Sequence, residues 1–297
     1  MARLISFVVL MLVASAFADV EPSTGYHEAI GIPLAAKIKA QEDEFLAHQE
    51  VVVGNRIVGG IVSPTNEHPY LAGLVISFVN IAGNSACGSS LLSTNRLVTA
   101  AHCWFDGTNQ AWQFVVVLGS NFLFSGGIRI ATSQVVMHPL WSPSLLHNDV
   151  AMIYLPTPVT FSSTIQPIAM SSGNQMFEDF TGQVVTAAGF GKITDAQAGV
   201  SSMLSRVNLL VITVQQCQAV FNSILPYVQP TNICTSGAGG VGICGGDSGG
   251  PLYITRNGQK VLVGISSFVA ANNCQGGHPS AFARVTSFQS WIWQHIF

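Results

Sequence analysis

The chain has little charge and no basic run. Charged residues make up 8% of its 297 residues, and the formal net charge is −3. Residues 57–297 carry as many acidic as basic side chains, whereas residues 19–56 carry seven acidic and three basic ones. Because no basic patch is present to neutralise phosphates, we expect no nucleic-acid partner. The change in charge near residue 56 indicates a boundary in the chain.

The sequence also lacks a second long apolar run, a CxxC pair and an Asn-x-Ser/Thr sequon. Its one long apolar run, "LISFVVLMLVASAFA", follows Arg3 and ends in the small residues that a signal peptidase reads. We therefore predict a signal peptide over residues 1–18, export, and no membrane partner; a retained anchor is the alternative. Without CxxC pairs a zinc site is disfavoured, and we predict no metal and no cofactor.

Cysteine is present in an even number. An exported chain with six cysteines favours three disulfides, although spacing alone does not select among the possible pairings. The cysteines are Cys87, Cys103, Cys217, Cys234, Cys244 and Cys274.

Short apolar runs dominate the chain beyond residue 57. Runs such as "WQFVVVLGS", "DVAMIYL" and "KVLVGISSFV" are separated by turn clusters rich in Gly, Ser, Asn and Pro. This pattern predicts an all-β domain, either a barrel or a sandwich. The C-terminal stretch "VTSFQSWIWQHIF" has helical spacing instead and predicts a final helix packed on the body.

The segment before the boundary is open to two interpretations. In "PLAAKIKAQEDEFLAHQE", residues 33–50, a proline stands where a first helical turn tolerates one, and Leu34, Ile38, Phe45 and Leu46 lie near one face. A short amphipathic helix fits this pattern. A solvated leader with little fixed structure fits the charge equally well.

The stretch "GICGGDSGGP" surrounds Ser248 and Asp247 with glycines. A serine hydroxyl needs a base to become a nucleophile, and glycines let backbone N–H groups approach a developing oxyanion. "TAAHC" supplies His102 as the base, and "HNDVAMIYL" supplies Asp149 to orient it. Each residue alone has a structural explanation, but three such groups together favour nucleophilic catalysis.

Four blocks resemble the chymotrypsin-like serine endopeptidases, in the family's order: "IVGG" at Ile57, "TAAHC", "NDVAMIYL" and "GDSGGP". The resemblance covers residues 57–297, which we take as the protease domain. It implies two packed antiparallel six-stranded β-barrels, about 57–165 and 166–283, followed by a C-terminal helix at 285–297.

The resemblance also assigns roles to single residues. Ser248 is the implied nucleophile, His102 the base and Asp149 its partner, with the backbone N–H groups of Gly246 and Ser248 as the oxyanion hole. The implied disulfides are Cys87–Cys103, Cys217–Cys234 and Cys244–Cys274.

The stretch "NRIVGG" gives Asp247 an expected role in activation by cleavage. In the family, cleavage before "IVGG" frees an ammonium group that pairs with this aspartate; here the bond is Arg56–Ile57, which a trypsin-like protease would cut. Residues 19–56 are then an activation propeptide, and their lack of cysteine leaves no covalent tether after cleavage. Pairing raises the pKa of the Ile57 amine, so we expect activity to fall as alkaline pH deprotonates it.

The substrate pocket is implied to be uncharged. Gly242 stands where trypsin-like relatives carry a carboxylate, so a Lys or Arg side chain would be buried without a partner. Ser267 is expected to bind substrate backbone, Val269 to shorten the pocket, and Ser280 to form the opposite wall. The position before Val269 holds Phe268 where tryptophan is usual, and the loop to Cys274 is one residue longer, so elastase-like and chymotrypsin-like preferences both stay open.

We therefore expect a secreted digestive endopeptidase similar to insect digestive chymotrypsins, extracellular in a gut lumen. Its expected partners are protein and peptide substrates, an activating trypsin-like protease and protein protease inhibitors, and we expect a monomer. The alternatives are a non-catalytic protease homologue and an immune cascade protease. The complete triad disfavours the first, and the cysteine-free leader disfavours the second.

Overall fold

A computed structural model describes residues 20–22, 24–48, 61–64, 66–192, 195, 203–271 and 273–296. The predicted signal peptide and the Arg56–Ile57 bond lie outside these residues. No helix in the described ranges is long and apolar enough to cross a membrane.

Strands account for most of the regular structure. Within the described residues they are β1 Ile61–Val62, β2 Leu71–Phe78, β3 Asn84–Leu91, β4 Arg96–Thr99, β5 Ala111–Leu118, β6 Ile128–Thr132, β7 Val135–Met137, β8 Ala151–Tyr154, β9 Ala169–Met170, β10 Val184–Gly189, β11 Ser205–Ile212, β12 Asn232–Thr235, β13 Pro251–Arg256, β14 Gln259–Phe268 and β15 Ser280–Arg284.

The strands form two barrel-like sheets. One has the order β6-β5-β2-β3-β4-β8-β7. The other has the order β1-β11-β10-β13-β14-β15-β12, with β9 beside β14, and the pairing of β11 with β12 closes a ring of six strands. All pairings given for the described strands are antiparallel except β9 with β14. The expected two-barrel architecture is confirmed, and of the two all-β alternatives the barrel is correct.

In the second sheet, buried and exposed side chains alternate along the strands. Along β11, Val207, Leu209 and Val211 are buried, whereas Asn208 and Leu210 between them are exposed. Alternation of this kind directs every second side chain into the barrel interior. The buried set includes Ile254 and Phe282 from neighbouring strands, so the barrel is filled by its own side chains.

Three α-helices lie in the described ranges: α1 Ile32–His48, α2 Val214–Phe221 and α3 Val285–Ile296. A π-helical turn, His27–Gly31, leads into α1, and short 3₁₀ turns occupy Ala101–Cys103 and Gly173–Phe177. The predicted C-terminal helix is present, with Val285, Phe288 and Ile292 buried on one face.

The segment before the boundary adopts the helical alternative. Leu34 and Ile38 of α1 are fully buried, and α1 packs against β3 of the first sheet. Phe45 is half-buried beside Phe122, but Leu46, expected on the same face, is half exposed. The helix therefore packs on the body along most of its length, from Leu34 to Phe45. The division of the chain into propeptide and protease domain stays a prediction.

Candidate functional site

Strand register brings His102 and Asp149 together. Thr99 at the end of β4 pairs with Ala151 at the start of β8, so the residues just after one strand and just before the other share one end of the sheet. The His102 Nδ1 lies 2.7 Å from Asp149 Oδ2, and the His102 backbone N–H donates to Asp149 Oδ1 at 2.9 Å. Both side chains are buried, so the carboxylate fixes the orientation of the imidazole.

Ser248 lies on a turn where the two barrels meet. Its carbonyl accepts the Gly88 N–H from β3 at 2.7 Å, and the Gly249 N–H donates to Ser266 of β14 at 2.8 Å. Gly249 has a φ of +75°, and a Cβ there would overlap Thr99 and the Gly88 carbonyl. The glycines of the motif thus allow a tight interbarrel contact.

One cleft contains Ser248 and His102 together with part of the segment that precedes residue 57. Thr24, Gly25, Tyr26 and Ile30 line this cleft beside them. Among the described residues, no hydrogen bond joins the Ser248 hydroxyl to His102. Tyr26 lies beside both residues in this cleft, and its hydroxyl donates to the Ala86 carbonyl at 2.6 Å.

The three disulfides connect the pairs that the family resemblance implied. Cys87–Cys103 joins β3 to the turn that carries His102. Cys244–Cys274 ties the Ser248 turn to the loop after β14. Two of the three covalent links therefore brace the segments that carry the candidate catalytic residues.

Asp247 is buried, and its carboxylate accepts hydrogen bonds from two backbone N–H groups. The N–H groups of Gly191 and Cys244 donate to its carboxylate at 2.9 and 3.0 Å. Burial nevertheless raises the pKa of Asp247 to about 7, and in the described part of the chain no cation pairs with it. A Cβ on Gly189 or Gly191 would overlap the carboxylate, so both glycines make room for it. The predicted partner Ile57 lies outside the described residues, as does Arg56.

The four predicted pocket residues fall into two pairs. Ser267 and Val269 line the cleft beside Ser248. Gly242 and Ser280 are buried together: a Cβ on Gly242 would lie 2.8 Å from the Ser280 hydroxyl, which accepts the Ile243 N–H at 3.3 Å.

Sequence reasoning missed two sets of contacts. The Ser267 hydroxyl donates to Asp149 Oδ2 at 2.5 Å, so Ser267 supports the carboxylate in addition to lining the cleft. Tyr26 and Ile30 reach the cleft from the segment before residue 57, and nothing in their local pattern indicates this. Contacts across such long sequence separations carry no periodic signal.

Comparison with known proteins agrees with this geometry. Residues 57–292 match the Trypsin family. Brachyurin of Leptuca pugilator is 36% identical over 80% of this chain and 96% of its own, and Collagenase of Hypoderma lineatum is 32% identical over 81% and 87%. A solved structure titled HL collagenase superposes with a TM-score of 0.72 at 31% identity, covering 80% of this chain and 98% of that chain.

Proposed function

The chain belongs to the trypsin family of serine endopeptidases, and on that premise we propose that it is made as an inactive precursor. Cleavage of the Arg56–Ile57 bond converts it into an endopeptidase that hydrolyses peptide bonds after uncharged side chains. The observation that carries the proposal is the buried His102–Asp149 pair, with His102 lining the same cleft as Ser248.

The proposed chemistry begins at the Ser248 hydroxyl. Because Asp149 accepts from Nδ1 of His102, the Nε2 of that ring is the free base. Ser248 Oγ bonds to the substrate carbonyl carbon as its proton passes to Nε2. The resulting oxyanion is held by the N–H groups of Gly246 and Ser248, each worth about 3 kcal/mol of barrier lowering.

The intermediate then breaks its C–N bond. The proton on His102 Nε2 moves to the departing amine, which leaves an ester on Ser248. Water adds to this ester, gives a proton to His102, and releases the acid product as the Ser248 hydroxyl is restored. The proton that His102 takes from water passes to Ser248 Oγ, so both side chains are regenerated and the net reaction consumes only the peptide bond and one water molecule.

The pocket supports a preference for uncharged side chains. Gly242 and Ser280 are buried against each other, and neither can neutralise a cation. A buried Lys or Arg side chain without a partner would lose several kcal/mol, on the order of the cost of an unpaired buried charge. Val269 reduces the space beside Ser248, which favours small and medium apolar side chains over Phe.

Asp247 supports activation by cleavage. A buried carboxylate whose pKa is raised to about 7 is stabilised by a nearby cation, and a new Ile57 ammonium would supply one. The Ser248 turn that Asp247 belongs to also carries the proposed oxyanion hole. Pairing would therefore order the catalytic donors after cleavage.

The proposal also includes where the enzyme acts and which substrates it cuts. The signal-peptide pattern at residues 1–18 and the three disulfides support secretion, and we infer digestive proteolysis in a gut lumen. One relative is named a collagenase. A gelatin substrate therefore belongs in the assays beside small peptides.

The test starts from the purified precursor treated with immobilised trypsin, which is then filtered away. N-terminal sequencing should find Ile57. Substrates with Ala, Leu, Phe or Arg before the scissile bond should be cut in the first three cases, with Arg at least 100-fold slower in kcat/KM because its charge is unpaired.

Two variants serve as controls. Ser248→Ala should lose hydrolysis and labelling by a serine-reactive phosphonate while keeping the Ile57 cleavage. Ser236→Ala, a change of the same kind outside the cleft, should keep both. Efficient Arg cleavage would refute the pocket assignment, hydrolysis by Ser248→Ala would refute the nucleophile, and no hydrolysis by any cleaved chain would favour a non-catalytic homologue.

A further inference from the structure

The chain segment that precedes residue 57 crosses the catalytic cleft. At one rim, Pro22 forms an antiparallel bridge with Ala270, and the Ala271 N–H donates to the Glu21 carbonyl at 2.9 Å. These partners directly follow Val269 of the cleft wall. The segment thus binds this rim through one β-bridge and one backbone hydrogen bond, the kind of main-chain pairing by which extended peptides are captured at a sheet edge.

Tyr26 occupies the catalytic centre itself. Its hydroxyl donates to the Ala86 carbonyl at 2.6 Å, and its side chain lines the cleft beside Ser248. Burial raises the pKa of this phenol well above its usual value, and the neighbouring Ser248 side chain and Gly246 backbone lower it in part. The ring packs edge-on against His102 with the centroids 4.9 Å apart.

This arrangement leaves no room for a substrate carbonyl. A peptide carbonyl must place its oxygen on the Gly246 N–H and its carbon beside Ser248 Oγ before attack. The Tyr26 side chain lies in this cleft beside Ser248 and His102, and Leu34 covers Gly246. It therefore fills the space that a substrate carbonyl would need, while offering no electrophilic carbon.

The backbone of the segment is protected from cleavage at this point. Tyr26 has helical angles, φ −49° and ψ −45°, and the Gly25 carbonyl accepts the Ala29 N–H at 3.2 Å. That carbonyl is committed to the first helical turn. The segment consequently resembles an inhibitor more than a substrate.

Contacts continue along the first helical turns. Ile30 and Leu34 cover Gly245 and Gly246 so closely that a Cβ on either glycine would overlap them. The His27 backbone N–H donates to Asp106 at 2.9 Å, and its Nδ1 lies 3.0 Å from the Ser85 hydroxyl. Apolar burial and polar contacts thus fix both sides of Tyr26.

A second anchor lies further along α1. Glu42 is fully buried and accepts from the Leu123 N–H at 2.6 Å, the Phe124 N–H at 2.9 Å and the Ser125 hydroxyl at 2.9 Å. A carboxylate with several donors is a strong non-covalent attachment. The segment is therefore held at the rim, at the catalytic centre and beside the loop of residues 121–125.

We propose that residues 20–22 and 24–48 are a built-in inhibitor of the catalytic cleft, with the Tyr26 side chain as the group that fills the catalytic centre. This inference rests on the proposed protease function. Cutting the Arg56–Ile57 bond alone leaves the inhibitor bound, because its contacts do not depend on that bond. Activity then requires the segment to dissociate or to be degraded.

The experiment uses the full precursor cut by an arginine-specific endopeptidase, since Arg56 is the only arginine between residues 19 and 57. Specific activity toward a Leu substrate is measured over a thousandfold dilution series, and size-exclusion chromatography follows the fragment. We expect co-elution at high concentration and a rise of at least tenfold in specific activity on dilution. Adding back a synthetic peptide of residues 19–56 should restore competitive inhibition.

Variants of the peptide test which side chain of the segment causes the inhibition. Tyr26→Phe removes only the hydroxyl and should weaken inhibition about tenfold; Tyr26→Ala should weaken it further. Leu46→Ala, at a half-exposed position of the same helix, should inhibit like the unaltered segment. Trypsin, which also cuts after Lys37 and Lys39, should give full activity without dilution.

The outcomes are distinct. Full activity of the arginine-cut chain at every concentration, or equal inhibition by the Tyr26→Ala and unaltered peptides, overturns the inhibitor assignment and leaves the protease function standing. Absence of hydrolysis and of serine-reactive labelling in every sample, the trypsin-cut one included, means that the proposed function itself has failed.

Discussion

Replacing Asp247 by Asn in the uncut chain should make its stability less sensitive to pH. The carboxylate is fully buried, and its pKa is raised from 3.8 to about 7. The folded chain therefore keeps a proton that the unfolded chain releases, so the free energy of unfolding falls as pH rises from about 4 to about 7. Above pH 7 the whole penalty, about 4 kcal/mol at 1.36 kcal/mol per pKa unit, is present.

Asparagine removes this penalty but also removes one acceptor. Gly191 and Cys244 both donate to the carboxylate, and an amide has one oxygen for the two N–H groups. The unpaired N–H costs about 1–3 kcal/mol at any pH. The cost of the unpaired N–H is the same at every pH, so we compare the effect of Asp247→Asn on the free energy of unfolding at pH 5 with its effect at pH 8.5. The raised pKa lies about two units above pH 5. The free energy of unfolding of the variant, relative to the unaltered chain, should therefore be about 3 kcal/mol higher at pH 8.5 than at pH 5.

The assay is urea unfolding of the uncut chain in a Ser248→Ala background, which prevents self-cleavage. Asp43→Asn makes the same chemical change at a side chain that is 61% exposed, and its effect should differ by less than about 0.5 kcal/mol between the two pH values. If Asp247→Asn destabilises the chain equally at both pH values, the carboxylate is not held at a raised pKa and the reasoning is refuted.

Two further variants test the cleft of the cleaved, leader-free enzyme. Val269→Gly removes a side chain that lines the cleft beside Ser248 and that we propose shortens the pocket, so the ratio of kcat/KM for Phe over Ala substrates should rise about tenfold or more. An unchanged ratio would mean that another side chain limits pocket depth. Ser267→Ala removes the 2.5 Å hydrogen bond to Asp149, so kcat should fall about tenfold with KM nearly constant. Ser267→Thr should retain most of the activity, and a change confined to KM would assign Ser267 to substrate binding alone.

The sequence predicted the features that depend on local motifs. The β-rich runs indicated an all-β body, and the block resemblance implied the two barrels. The short blocks around His102 and Asp149 are adjacent because β4 and β8 pair in register. Helix α2 carries its own signal as well, a Thr213–Gln216 capping box at its start, although the strand-rich pattern around it obscured that signal.

The position of the segment before residue 57 could not be predicted from the sequence. Glu42 belongs to an acidic run that indicated a solvated surface, yet it is buried against backbone N–H groups of Leu123 and Phe124. Every residue except proline has a backbone N–H, so the sequence does not show which of them will bind a carboxylate. The burial of Glu42 therefore could not be predicted from the residues around it. Tyr26 likewise contacts Ala86 and lies beside Ser248 only because the two barrels place these residues on the same cleft.

On the two proposals above, the precursor is restrained in two physically different ways, and cleavage at Arg56 acts on only one of them. A new Ile57 ammonium would pair with the Asp247 carboxylate within the same molecule, so that step does not depend on protein concentration. Release of Tyr26 separates two pieces of chain, so the bound fraction falls as the protein is diluted. In a concentrated store the cut enzyme would stay inhibited, whereas dilution, or degradation of the segment at Lys37 and Lys39, would free the cleft. Concentration thus becomes part of the activation of this protease, beyond the cut itself.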